Sequence, residues 1–342
     1  MRPVSAVPLE PVVQSSKDVQ DSSPAEPDDW WRETYFPHLA RRRGMLVDSG
    51  VRLVHYTTGQ VACSILERRE IWMRNASTMN DFKEVEYGLG LLAEAWKAPG
   101  GQAFRRAIEN TFAGMEEEIP PLFNSWQPNF RSHTYLTCVS EHDEAENHLG
   151  RLSMWRAYGA DCGVALVLAP GVTNVSSDAL RGMYAVPVLY GELQQVDDHL
   201  GEVASNIAGR KELIQRTGRE QFKGRLFQLL RLLALSTKHP GFQEEREWRV
   251  TYSPHLGPSP VIRSKVEAVR GTPQLVFKIP LEDQPEHDVH GLDLPRLVQR
   301  IIVGPTQHPH VVADALRHLL QLAGDQDASS KVVVSDIPLR HL

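Results

Sequence analysis

Cysteine is scarce. The 342 residues contain three, Cys63, Cys138 and Cys162, far apart and in no CxxC or similar register, which excludes a disulfide-stapled scaffold and the common structural zinc motifs. A reducing compartment fits best. Long apolar runs are also missing: none approaches membrane-spanning length, and only Arg2 precedes a Pro- and Ser-rich polar run where a secretory leader would carry its apolar core. A cytoplasmic protein with no membrane partner is expected. A basic excess is absent, since the formal net charge is -6 and the isoelectric point is near 6.2, so there is no overall field to hold nucleic acid. Nor is there an internal repeat, a P-loop, a G-x-G-x-x-G, an H-E-x-x-H or a G-x-S-x-G.

What is present is ordinary globular material. With 41% hydrophobic and 23% charged residues, the chain can bury a core. Residues 1–28, rich in Pro, Ser and Asp, have too little apolar surface to offset the entropy of ordering and are expected to form a disordered tail. Residues 29–342 are expected to form a single α+β domain. Its start is aromatic (Trp30, Trp31, Tyr35, Phe36), which implies packing onto the body, and the run Arg41, Arg42, Arg43 reads as a solvated face.

The run VRLVHYTT at residues 51–58 predicts a strand ending at His55 and Tyr56, with Thr57 or Thr58 capping a helix through Leu66. Ile71 to Met73 reads as a short strand followed by a polar turn containing Asn75, Asn80 and Asp81. Helical spacing predicts helices from Phe82 to Trp96, from Ala103 to Met115 and over a long stretch from Val203 to Ser236. Further strands are expected at Val186 to Tyr190, in QLVFKIP, in LVQRIIVGP and in KVVVSDIPL, with a helix from Val311 to Ala323 between the last two. The overall expectation is a mixed, mostly antiparallel central sheet flanked by helices. His308, His310, His318 and His341 follow no metal-ligand register and read as surface residues.

Two stretches carry chemistry. Tyr135 to Val139 and Gly163 to Leu168 read as buried strands, and the connection between them presents Ser153, Trp155, Arg156 and Tyr158 around one helical turn. If 245–252 is a strand, alternation puts Glu245, Glu247, Arg249 and Thr251 on one face. Arg246, Trp248, Val250 and Tyr252 then form the core face.

The ordered series HYTT, IWMRNASTMNDFKE, TCVSE, SMWRAYG with CGVAL, GFQEEREWR, IIVGP and VVVSDIPLR resembles an uncharacterised bacterial family, domain-of-unknown-function family 2971, from about residue 50 onward. That family brings no activity with it. More distantly, His55 with Tyr56 and Thr57, then Ser140 with Ser153, Trp155 and Tyr158, then Glu245-Arg246-Glu247 resemble in their order the signature positions of ADP-ribosyltransferases and their split β-fold. This second resemblance implies NAD as substrate. Glu247 would stabilise the oxocarbenium-like ribose, and Glu245 would orient the acceptor. His55 would bond ribose hydroxyls, Trp155 or Tyr158 would stack on nicotinamide, and Arg156 or Arg249 would hold the pyrophosphate.

The transferase reading implies an acceptor that is protein, nucleic acid or small molecule, and a place in a toxin, defence or stress system with a cognate antitoxin or defence partner. Two other classes stay open. One is a non-catalytic nucleotide-binding or protein-interaction module. The other is a nucleic-acid hydrolase using Glu245 and Glu247 with a divalent ion, for which the sequence offers no recognisable ligand motif.

Overall fold

The computed structural model describes residues 30–78, 82–172, 177–269 and 271–338. The expected tail, Asn80, Asp81 and His341 lie outside the described residues. Two helices open the chain, α1 (Trp30–Tyr35) and α2 (Pro37–Ser49). Strand β1 (Arg52–Thr58) follows, and the Thr58 hydroxyl accepts from the Val61 N–H at 3.4 Å to start α3 (Gly59–Arg68). Next come β2 (Glu70–Asn75), α4 (Phe82–Ala95), α5 (Pro99–Thr111) and α6 (Met115–Ser132). The helix expected from Ala103 to Met115 is α5 as far as Thr111, where Phe112 caps it, and Gly114, at φ 83°, is the N-cap of α6.

The central unit is β3 (Tyr135–His142), α7 (Leu152–Tyr158) and β4 (Cys162–Leu168), followed by β5 (Met183–Pro187) and β6 (Leu189–Tyr190). The long helical stretch is three helices, α8 (Leu193–Gly209), α9 (Lys211–Thr217) and α10 (Arg219–Ser236), broken at Arg210 and at Gly218 with φ 89°. Strands β7 (Thr237–Lys238), β8 (Glu247–Tyr252), β9 (Arg263–Val269) and β10 (Thr272–Pro280) follow. The chain then forms α11 (Leu294–Leu297), β11 (Val298–Thr306), α12 (Pro309–Leu322), α13 (Ala328–Lys331) and β12 (Val332–Val334).

The fold is α+β. Its large sheet runs β12-β11-β4-β1-β3-β2-β10-β9, with β8 on the other edge of β3 and β5 beyond it. Pairing is antiparallel except for β11 with β12, joined through a helix as parallel neighbours must be, and the separate β6–β7 ribbon. The sheet does not close into a barrel. No helix of the described residues is long and apolar enough to cross a membrane.

The sheet forks at β3. Along one edge Ser140–His142 pair with β1, whereas Tyr135 and Leu136 pair with β2, so the two strands share that edge and diverge between their contacts. Direct pairing makes Val54, Ser140 and Glu247 project from one face, with Cys138 and Arg249 beside them. Leu53, His55, Val139 and Trp248 therefore project from the other. The Glu247 face is covered by α4, α5, α6, α8 and α10 over β3, β8 and β5, and by α7 over β1 and β4. The Trp248 face packs α3 and α12 against β4 and β11.

Candidate functional site

On the Glu247 face, between the large helical layer and α7, lies a buried ionic network. Glu247 begins β8 and is 5% exposed. Its carboxylate accepts from Lys238 Nζ at 3.0 Å and from Arg249 Nε at 2.8 Å. Burial alone would push that carboxyl up, but Arg249 and then Lys238 outweigh it and hold the group down to about 2. Lys238 also reaches Glu84 at 2.9 Å and Glu245 at 2.7 Å, so its three protons meet three carboxylates. Arg249 is likewise fully engaged: it donates to the Leu235 carbonyl at 2.7 Å and pairs with Glu84.

The other residues singled out in the sequence fall in different places. Glu245 and Arg246 precede the strand in a 3-10 turn, and Arg246 takes a left-handed φ of 45°. The expected alternation therefore starts only at Glu247, and both faces of β8 are buried. Tyr158, 38% exposed, donates its hydroxyl to Glu245 at 3.3 Å. Trp155 is core: its N–H donates to the Leu149 carbonyl at 2.9 Å, and its ring packs edge-on against Tyr56 with centroids 4.9 Å apart. The Tyr56 hydroxyl, pushed up to about 12 by burial, accepts the Arg151 N–H at 2.9 Å. Arg156 is exposed. The buried Ser153 hydroxyl has no hydrogen-bond partner among the described residues. Thr57 is buried on β1.

His55 does not join Glu247. The register that pairs Val54 with Ser140 and Ser140 with Glu247 sends His55 to the opposite face of the sheet. There its Nδ1–H donates to the Cys138 carbonyl at 2.9 Å, in the gap where β1 and β2 have separated. Burial lowers its pKa, so the ring is neutral at neutral pH and fixed as the Nδ1–H tautomer. Its role at the fork is to satisfy a strand carbonyl that has no strand opposite it.

A second ionic cluster, unforeseen from the sequence, organises the acidic loop after β3. Arg151 donates to Glu146 at 2.9 and 3.1 Å, to the carbonyls of Glu244 and Glu245 at 3.0 and 3.2 Å, and to the Glu141 carbonyl at 2.7 Å. Arg246 completes it by pairing with Asp143 and Glu146. The only sequence signal was the spacing of Glu146 and Arg151 in a loop, which specifies nothing alone.

The other unforeseen feature is a cavity of about 540 Å³. Its floor is the Trp248 face, with Leu53, Ile71, Val139, Trp248, Ile279 and Leu281 among its walls. Among the described residues, four arginines line it, Arg32, Arg43, Arg181 and Arg225, with one carboxylate, Asp178. Asp178 is paired with Arg181 at 3.3 Å. Arg225 lies over the Trp31 ring at 4.2 Å and forms no ion pair among the described residues. Burial, and then the neighbouring Arg32, lower the Arg43 pKa to about 10. The run Arg41–Arg43 is a solvated face only at Arg41, which is exposed and pairs with Glu202; Arg42 pairs with Glu141 and Arg43 lines the cavity. By contrast, His308, His310 and His318 are exposed, as expected.

The geometry describes an α+β protein with an arginine-lined cavity and a separate cluster of three carboxylates bridged by two cations. Residues 154–250 match a family described as protein of unknown function (DUF2971), and they include most of α7, β4, the three-helix stretch and most of β8. No curated protein and no solved structure gives a significant match to the chain.

Proposed function

We propose that the protein is a non-catalytic binding module for a small anionic molecule seated in the cavity beside Arg225. The observation that carries this reading is Arg225, which lines a cavity of about 540 Å³ and has no ion pair among the described residues, in a chain whose net charge is -6. The volume lies within the range of small-molecule sites, and guanidinium groups are the preferred partners of phosphate and carboxylate.

The ADP-ribosyltransferase reading has less support. Stabilising an oxocarbenium ion requires a carboxylate with charge to spare, whereas Glu247 shares its two oxygens with Lys238 and Arg249. His55, its expected partner, projects from the other face. A metal-dependent hydrolase has less support still: Lys238 sits between Glu245 and Glu247, where a divalent ion would have to bind.

Isothermal titration with AMP, NAD, pyrophosphate and decyl phosphate, with nicotinamide release followed in parallel, tests the reading. At least one anion binds, Arg225→Gln weakens it tenfold or more, and no nicotinamide appears. NAD cleavage abolished by Glu247→Gln would restore the transferase. No binding at millimolar concentration would remove the module reading.

A further inference from the structure

We infer that the ligand is an anion with a long apolar tail, its head group held by Arg225 and Gln228 and its tail laid along the Trp248 face of the sheet. This rests on the binding-module reading and narrows it. The cavity has two chemically distinct ends. At the sheet, Leu53, Ile71, Val139, Ile279 and Leu281 offer no hydrogen-bonding side chain, and Thr137 adds one hydroxyl. The Trp248 N–H is already donated to Glu141 at 2.9 Å. A nucleobase placed there would lose its water and find almost no replacement for it, at a cost of several kcal/mol. An alkyl chain would lose nothing and gain about 0.8 kcal/mol per methylene buried.

The other end lies round the β5 edge, where Tyr184, Ala185 and Val186 all line the cavity, and is built from α10. Arg225, Gln228 and Leu232 line the cavity at helical spacing, and Arg231 stands behind them, 0% exposed. Arg231 donates to Gln228 Oε1 at 3.1 Å and to Ser253 Oγ at 2.7 Å, and its guanidinium lies 5.7 Å over the Tyr184 ring. Both Gln228 and Tyr184 face the cavity. No carboxylate among the described residues pairs with Arg231, and its Nε has no partner. A buried cation without a counter-charge is costly to the fold. An anionic head in the cavity would supply that counter-charge. Because the Gln228 oxygen is taken by Arg231, its amide N–H groups remain to donate to the head, so Arg231 acts as a positioning residue through Gln228.

A carboxylate and a phosphate head share this chemistry. Titration of the full chain with decanoate, decyl phosphate, AMP and inorganic phosphate, below micelle-forming concentrations, separates the possibilities. The expected result is that decanoate or decyl phosphate binds at least tenfold more tightly than AMP, the tighter of the two identifying the head. Arg225→Gln weakens it tenfold or more. Ala185→Phe, which fills the cavity from the edge strand β5, abolishes it. Arg231→Met weakens it while raising the melting temperature, a combination that a misfolded variant cannot give. If AMP binds and the alkyl anions do not, the tail assignment is overturned and the module reading survives. If nothing binds, both are lost. Alkyl binding unchanged in Ala185→Phe would mean surface association and would also overturn the inference.

Discussion

The indole N–H of Trp248 donates to the carboxylate of Glu141 at 2.9 Å across the Trp248 face of the sheet. The other oxygen of that carboxylate pairs with Arg42, so a single buried side chain ties α2 to β8. Arg43, the next residue of α2, is thereby held at the cavity wall.

Glu141→Ala is expected to destabilise the protein by about 1–3 kcal/mol, because it leaves the buried indole N–H without an acceptor. The loss should appear in urea unfolding. Hydrogen exchange should localise it, with faster exchange in α2 than in α3, and unchanged α2 protection would show that the tie is not what holds the helix.

Lys238→Met should cost more, about 3–5 kcal/mol, because Glu84, Glu245 and Glu247 would then face one another in the interior without the cation that bridges all three. Removing the cation raises the carboxyl pKa values, so the variant should regain stability relative to wild type as pH falls from 7 toward about 4. Adding Glu245→Gln should recover part of the loss at pH 7. A Lys238→Met protein as stable as wild type would mean that the cluster is hydrated rather than buried.

Stability should also fall on mild acidification through His199. Burial first, and then the nearby His38, lower its pKa from 6.5 to about 4. The unfolded chain binds the proton more readily in that window, so the contribution is fully present above 6.5 and lost as pH falls toward 4, about 3 kcal/mol in all. His199→Gln should flatten the profile between those limits. An unchanged slope in that variant would assign the pH dependence to other groups.

Gly304→Ala would set a methyl group 2.8 Å from the Trp155 ring, and Gly163→Ala would set one 2.9 Å from it. Each should cost about 1–3 kcal/mol by overpacking. Trp155→Leu should relieve much of the Gly304→Ala cost, giving a double mutant more stable than the sum of the singles. Strict additivity would mean that the ring and the glycine do not meet.

The sequence made several of these elements legible because their determinants are local. The pair Thr57 and Thr58 before an apolar helical stretch announced the start of α3, which Thr58 caps, and the β-prone runs announced β3, β4 and β11. The glycines that start α6 and α10, Gly114 and Gly218, were present but were hidden inside continuous helical periodicity. The helix α6 carries Pro120, Pro121 and Pro128, which argue against a helix locally and are tolerated by its packing. Alternation correctly set Glu247 and Arg249 opposite Trp248. Whether His55 shares a face with Glu247 depends on how β1 and β8 align on β3, and no local pattern encodes that register. The same holds for the cavity, whose arginines come from α1, α2, the turn before β5 and α10 and converge only after folding.

The fork at β3 has a consequence in time as well as in space. Because β1, β2 and β8 all pair with the one strand Tyr135–His142, neither arm of the sheet can be completed before β3 has met partners from both earlier and later in the chain. Such closures are slow, since the entropy of a long loop is lost before any pairing compensates for it. Refolding should therefore be paced by the arrival of β8 at β3. Substitutions along that pairing, such as Val139→Ala, should slow refolding far more than equally destabilising changes in α12.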